Sequence, residues 1–130
     1  MHLSALTTIL TGLGHGWLKY GHQRMGEFGP EPFWAQGWLL RAHVLVAPLL
    51  VFTLGVLVRG HLLPSLQAKQ PGGRTTGIAL ATILAPMILS GYGVQVCVDP
   101  TWRTVLAWLH GTFSLLFLVA YGAHWARPRP

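Results

Sequence analysis

Residues 108–128 read WLHGTFSLLFLVAYGAHWARP, an apolar run with one histidine near each end, His110 and His124. A helix needs about 20 mostly apolar residues to cross the hydrocarbon core of a bilayer, and this run is long enough. Ionisable side chains are costly inside a membrane, and by default they face the interior of a helix bundle and mark a functional site. The stretch therefore predicts a helical membrane fold and a functional role for the two histidines.

The composition of the whole chain also favours a membrane protein. Of the 130 residues, 52 % are hydrophobic and 9 % are charged, whereas about one quarter of an average soluble domain is charged. The net charge is +6, but the Lys and Arg residues are scattered at the ends of apolar runs, so we expect a lipid bilayer and no nucleic acid as the partner. The single cysteine, Cys97, excludes an intrachain disulfide and a covalent haem motif. No internal repeat is evident.

Four apolar segments cover nearly the whole chain, at about 3–20, 38–63, 76–98 and 103–125. Each is long enough to cross a bilayer as a helix. We therefore predict an all-α fold, an integral membrane four-helix up-down bundle, with residues 1–130 forming a single membrane domain.

The connections between these segments differ in length and character. The first, GHQRMGEFGPEPFWAQGW (21–38), is rich in glycine, proline and aromatic residues and is predicted to be an interfacial loop. The second, PSLQAKQPGGRTT (64–76), is a polar turn. The last is little more than VDPT (98–101), where Asp99 and Pro100 end one helix and Thr101 is expected to cap the next.

The basic residues give a prediction for the orientation in the membrane. With four spans, both termini lie on one side, and that side collects five Lys and Arg residues against four on the other. The positive-inside rule then favours cytoplasmic termini, in a bacterial inner membrane. The first set is Arg59, Lys69, Arg74, Arg127 and Arg129, and the second is Lys19, Arg24, Arg41 and Arg103.

Four histidines form two pairs when the segments are read as helices. His110 and His124 are fourteen residues apart, which is roughly 21 Å of rise on nearly one face. His43 and His61 are eighteen residues apart, close to five turns and roughly 27 Å. In an up-down bundle the second and fourth helices run in the same direction. His43 is then expected at the depth of His110, and His61 at the depth of His124.

Such pairs are typical of b-type haem, whose iron takes two axial histidines from neighbouring helices. Two haem b groups, one near each membrane surface, would form an electron path through most of the bilayer. Bis-histidine ligation leaves no open iron position, so we expect no oxygen chemistry. Glycines could make room for the macrocycles or could serve helix packing instead; they are Gly55, Gly60, Gly91, Gly93, Gly111 and Gly122.

Other residues are further candidates for these sites. His15 lies near the end of the first segment and is the alternative to His43 as the partner of His110. His22 follows in the loop as an interfacial or quinone-site residue. Arg41 and Arg103 lie near the same level, where a haem propionate or a quinone headgroup needs a cation, although both also suit the role of interface anchors. Arg59 has the same two interpretations on the opposite side.

The chain resembles bacterial di-haem b-type cytochromes with a four-helix membrane core, such as the cytochrome b subunits of nickel-iron hydrogenases and formate dehydrogenases and their small stand-alone relatives. The similar stretches are AHVLVAPLLVFTLGVLVRGHLLP (42–64), RTTGIALATILAPMILSGYGVQV (74–96) and WLHGTFSLLFLVAYGAHW (108–125). The most characteristic part is SGY followed by the two histidines of the last stretch. Together these cover about two thirds of the chain.

This resemblance implies electron transfer between a membrane quinone pool and a redox partner protein or larger complex, with the chain as an electron-transfer subunit of an oxidoreductase. It implies His61, His110 and His124 as haem ligands. His43 departs from the pattern, because its spacing from His61 exceeds the roughly fourteen residues usual in the family. Either Pro48 and a tilted helix absorb the difference, or His15 takes the place of His43.

Two other classes of function compete with a cytochrome. A small transporter or metal-binding protein would use the histidines along a polar path, but such a path is expected to include acidic residues, and all three acids lie in the predicted loops. An assembly or structural subunit would leave the histidines without a role. We therefore expect an electron relay.

Overall fold

The helices account for most of the chain in the computed structural model, which describes residues 2–67 and 74–126. They are α1 (His2–Gly16), α2 (Gln36–Leu57), α3 (Leu63–Gln67), α4 (Arg74–Val96) and α5 (Pro100–Trp125). Two π-helical turns extend them, Trp17–Gly21 after α1 and Val58–Leu62 between α2 and α3. Two short strands, β1 (Arg24–Gly26) and β2 (Gly29–Glu31), complete the structure. The all-α class is confirmed, and the chain divides into two compact units, Met1–Gly60 and His61–Pro130.

In the first unit, α1 and α2 form an antiparallel hairpin. Small residues on α1 let the helices approach closely, because a β-carbon added at Gly14 would lie 3.2 Å from the Leu39 side chain. Towards the other end of the hairpin, the hydroxyls of Ser4 and Thr53 are 3.2 Å apart. The buried side chains of this unit are Ala5, Thr8 and Leu50.

The connection between α1 and α2 contains a β-hairpin that the prediction of an irregular interfacial loop did not include. Arg24 pairs with Glu31 and Gly26 with Gly29, leaving a two-residue turn at positions 27 and 28. Gly29 has a φ of 119°, a conformation that side chains with a β-carbon rarely adopt. The turn side chain Phe28 is 97 % exposed, as suits a residue of the aromatic membrane interface.

In the second unit, α4 and α5 form another antiparallel hairpin. Gly93 on α4 faces Leu106 on α5, where an added β-carbon would lie 3.1 Å from the leucine. The buried side chains are Met87, Ser90 and Phe117. The core of each unit is thus a narrow seam between two helices, with most apolar side chains on the outside.

The start of α5 corrects one expectation. Asp99, not Thr101, is the N-cap: its Oδ1 accepts a hydrogen bond from the backbone N–H of Trp102 at 2.9 Å. Pro100 occupies the first helical position, where its missing N–H has no helical partner to lose. An Asp side chain accepts the same capping hydrogen bond as a Thr side chain and is preferred to it at the N-cap position. Because Asp99 directly precedes Pro100, α5 begins at Pro100.

Asp99→Ala is expected to lower the free energy of unfolding by about 1 kcal/mol, because it removes an acceptor from an N–H that has no helical partner. Thermal unfolding of the detergent-solubilised protein, followed by circular dichroism, measures the effect. Thr101→Ala is the matched control and should change stability by less than about 0.5 kcal/mol. Equal effects of the two substitutions would contradict the assignment of the cap.

Among the described residues, 2–67 and 74–126, three helical stretches are long and apolar enough to cross a membrane: Gln36–Gln67, Thr75–Val96 and Pro100–Trp125. Their outer faces expose large apolar side chains, among them Leu45 and Phe52 at 75 % and 71 % exposed. Side chains of this kind are stable against lipid rather than water. The segment predicted at 3–20 is helical but is not among the three.

Part of the predicted polar turn, residues 68–73 with Lys69, lies outside the described residues, and so do Arg127 and Arg129.

Candidate functional site

His43 lies on the face of α2 that packs against α1. Its Nδ1 is 3.1 Å from the carbonyl oxygen of Thr8 and 3.3 Å from the hydroxyl oxygen of Thr11. A carbonyl only accepts hydrogen bonds, so Nδ1 carries a ring proton, and in the neutral imidazole Nε2 then carries the lone pair. Gly12 makes room for the ring, because a β-carbon there would lie 2.9 Å from Cε1 of His43. We call His43, Gly12 and the Thr8 carbonyl the His43 seat.

His110 is held in the same way in the second unit. Its Nδ1 is 2.9 Å from the carbonyl oxygen of Met87 on α4, which again assigns a proton to Nδ1 and, in the neutral imidazole, the lone pair to Nε2. A β-carbon added at Gly91 would lie 2.9 Å from Cε1 of His110. We call His110, Gly91 and the Met87 carbonyl the His110 seat. The carbonyls of both seats belong to buried residues, Thr8 and Met87.

Both seats suit an axial imidazole ligand. Histidines that bind metals through one ring nitrogen almost always donate the other N–H to a carbonyl, a carboxylate or water, which fixes the tautomer and raises the basicity of the ligating nitrogen. The bond from Nδ1 to the carbonyl provides that arrangement in each seat. Both histidine rings are half-buried.

The other two predicted ligands differ from these in their surroundings. His124 is half-buried on α5, and its Nδ1 is 2.8 Å from the Thr76 hydroxyl on α4. His110 and His124 therefore share the face of α5 that packs on α4, as their spacing predicts. His61 is exposed on the π-helical turn between α2 and α3, and its carbonyl accepts a hydrogen bond from the Ser65 hydroxyl at 2.6 Å.

The π-helical turn changes the spacing argument for His43 and His61. The shared face predicted for the two histidines requires regular α-helix as far as His61, with every residue advancing by the same angle. A π-helical turn bonds five residues apart and shifts the register of everything beyond it. The turn begins at Val58, so the shared face calculated for the two histidines does not follow from their spacing.

His15 also has a backbone carbonyl as its partner, but at the end of the first hairpin where α1 is connected to α2. Its Nδ1 is 3.3 Å from the carbonyl oxygen of Gln36, at the first residue of α2. That residue precedes His43 by about two turns, or about 10 Å of helix rise. His15 and His43 therefore occupy different levels of the hairpin. His22 lies in the connection, edge-on to the ring of Phe33 at 5.4 Å.

The candidate cations lie on the surface of their units. The Arg41 guanidinium is 5.2 Å from the ring centre of Trp38, a contact that suits an interface anchor. Arg103 is exposed in the first turn of α5. Arg59 borders an open groove of about 660 Å³ beside α2, whose other lining residues are Phe52, Gly55, Val56 and Gly60.

The six candidate glycines fall into two groups by their surroundings. Gly91 and Gly93 are packed against His110 and Leu106 and serve the approach of α4 and α5. The other four, Gly55, Gly60, Gly111 and Gly122, have no atom within 4 Å of an added β-carbon. Those four glycines therefore make no close contact with a neighbouring helix.

Within residues 2–67 and 74–126, no three His, Cys, Asp or Glu side chains lie close enough together to hold a metal ion. A haem iron needs only two protein ligands, because the porphyrin supplies the others. The chain matches no known protein family, no curated protein and no solved structure.

The two seats are the part of the site that sequence reasoning missed. Their acceptors are backbone carbonyls, which any residue carries, so the identity of Thr8 or Met87 gives no signal. A usable signal lies in the glycines: Gly12 is followed two residues later by Gly14, and Gly91 by Gly93. Glycines within an apolar helix are typical of places where a neighbouring helix approaches closely.

Proposed function

We propose that this protein is a membrane b-type cytochrome that relays electrons across the bilayer through two haem groups, each held by two histidines. The observation that carries the proposal is the pair of seats, in which His43 and His110 have Nδ1 on a backbone carbonyl and the lone pair on Nε2. Neutral imidazole with that tautomer is a preferred ligand of haem iron.

The proposed arrangement is a four-helix up-down bundle in which His43 pairs with His110 and His61 with His124. The three apolar helices support the membrane setting, and the two antiparallel hairpins support the up-down order within each unit. We place the chain in a bacterial inner membrane with cytoplasmic termini, in keeping with the distribution of Lys and Arg.

The chain itself would bind, orient and insulate the cofactors. Haem supplies one-electron redox chemistry when it is bound. The histidines fix the orientation of their imidazoles, and the apolar helices exclude water. Arg59 would give a propionate its cation, beside the groove that Gly55 and Gly60 keep open. We further propose the membrane quinone pool and a redox partner protein as the two ends of the relay.

Electron transfer across a sealed membrane tests this function. Purified protein is reconstituted into lipid vesicles that enclose ferricyanide, and dithionite, which crosses lipid poorly, is added outside. We expect the enclosed ferricyanide to be reduced at least about tenfold faster than in protein-free vesicles, because the relay gives electrons a path through the hydrocarbon core.

His124→Ala provides the matched control for this experiment, because it interrupts the path at one membrane surface and should return the rate to that of protein-free vesicles. Equal rates for wild-type and protein-free vesicles, with the protein shown to be inserted, would contradict the relay.

A further inference from the structure

The α1–α2 and α4–α5 hairpins share more than their histidine seats. In each, the acceptor carbonyl belongs to a buried residue four positions before the glycine, Thr8 before Gly12 and Met87 before Gly91. The residue directly before the glycine has a hydroxyl that donates a hydrogen bond to the carbonyl four residues earlier in the same helix. Thr11 donates to the Thr7 carbonyl and Ser90 to the Pro86 carbonyl.

The correspondence continues along the packed faces. A second glycine follows the seat glycine by two residues and packs against a leucine of the other helix: Gly14 against Leu39, and Gly93 against Leu106. In both hairpins this leucine lies four residues before the histidine. Seven residues after the histidine, the buried side chain of the second helix is Leu50 in one hairpin and Phe117 in the other. In each hairpin the helix with the two glycines comes first and the helix with the histidine comes second, and the two helices are antiparallel.

We infer that the two hairpins are copies of one structural repeat, and that Gly12 and Gly91 are positioning residues, each of which sets the orientation and tautomer of one histidine. No internal repeat is evident in the sequence, so this repeat would be one of structure. The repeat escapes a comparison of sequences because few positions match and because the connections differ, residues 17–35 in one hairpin and 97–99 in the other. The role of the glycines towards haem rests on the proposed function, whereas the repeat and the seats do not.

Substitution of the seat glycines tests the inference. In Gly12→Ala or Gly91→Ala the new β-carbon would lie 2.9 Å from the histidine Cε1, so the ring must move away from its carbonyl. Alanine is a better helix former than glycine, so the helices themselves should persist. Gly16→Ala and Gly37→Ala are the controls, because nothing lies within 4 Å of their added β-carbons and neither glycine belongs to a seat or a proposed haem site.

The first measurement uses the full chain prepared without haem and labelled with ¹⁵N-histidine. Side-chain NMR distinguishes a protonated Nδ1 from a protonated Nε2, and the variants His43→Gln and His110→Gln assign the signals. We expect the wild type to show both rings protonated at Nδ1. Gly12→Ala should change only the His43 signal, and Gly91→Ala only that of His110. If the His43 and His110 signals of Gly12→Ala and Gly91→Ala were the same as those of the control variants, the inference would be overturned.

The second measurement is haem binding to the same variants. Loss of a supporting hydrogen bond behind a metal ligand typically weakens binding about 10- to 100-fold. We expect this loss in both seat variants, at the same one of two haem sites, and unchanged binding in both controls. Seat variants with the haem affinity of the controls would overturn the positioning role. A wild type that shows both Nδ1 tautomers but takes up no haem would overturn the proposed function and leave the repeat intact.

Discussion

Replacing His110 with alanine is expected to lower the haem content of the purified protein from about two groups per chain to about one. The His110 seat directs the lone pair to Nε2 through the 2.9 Å hydrogen bond to Met87, and the substitution removes that ligand nitrogen. Alanine is a strong helix former, so α5 should remain intact. The haem that we assign to His61 and His124 should be retained, and its spectrum should be unchanged.

Haem extracted into alkaline pyridine, divided by the protein concentration, measures this content. His2→Ala is the control, because His2 is exposed at the start of α1 and belongs to neither proposed pair. His124→Ala should also remove one haem, and the double substitution His110→Ala with His124→Ala should remove both. A His110→Ala protein that keeps the full wild-type haem content would contradict the assignment of His110.

The second large effect should separate His43 from His15. His43→Ala is expected to remove the same haem as His110→Ala, whereas His15→Ala should keep both haems. The reason is structural equivalence: His43 is seated over Gly12 as His110 is over Gly91, whereas His15 bonds to the Gln36 carbonyl at the end of α2. The residue equivalent to His15 in the second repeat is Val94, which cannot bind iron.

Optical spectra of the two variants, each with its haem content, decide between these residues. The double substitution His43→Ala with His110→Ala should lose no more haem than either single one, because both ligands belong to one site. Loss of a haem in His15→Ala with full content in His43→Ala would assign the ligand to His15 and contradict the role of the His43 seat.

The sequence was sufficient to predict the helices. Apolar length located both ends of α4 and α5 and the start of α2 to within about three residues, because membrane helices are decided by hydrophobicity over a long window. The predicted end of the second segment, residue 63, lies six residues beyond Leu57, where α2 passes into the π-helical turn. The β-hairpin at Arg24–Glu31 was missed because its strands are three residues long and contain Gly and Pro, which are depleted in strands. The π-helical turn at Val58 was missed because nothing in its composition differs from α-helix.

The candidate residues were predicted from the sequence, but their surroundings were not. The cost of histidine in a membrane singled out His43, His61, His110 and His124. It could not show that His43 and His110 bond to carbonyls of a neighbouring helix, because backbone acceptors are independent of residue type. Only part of the role of Gly91 was predicted. Its small size indicated close packing of a neighbouring helix, but not that the contact is with the ring of His110.

The central claim is that these histidines hold haem, and a reduced-minus-oxidised optical spectrum of the wild-type protein tests it most directly. The protein is purified in detergent from a host with ample haem, and the spectrum is recorded before and after dithionite. We expect the sharp bands of low-spin haem b at about two haems per chain, which is the number that two bis-histidine sites bind. A folded, colourless protein without these bands would contradict the claim.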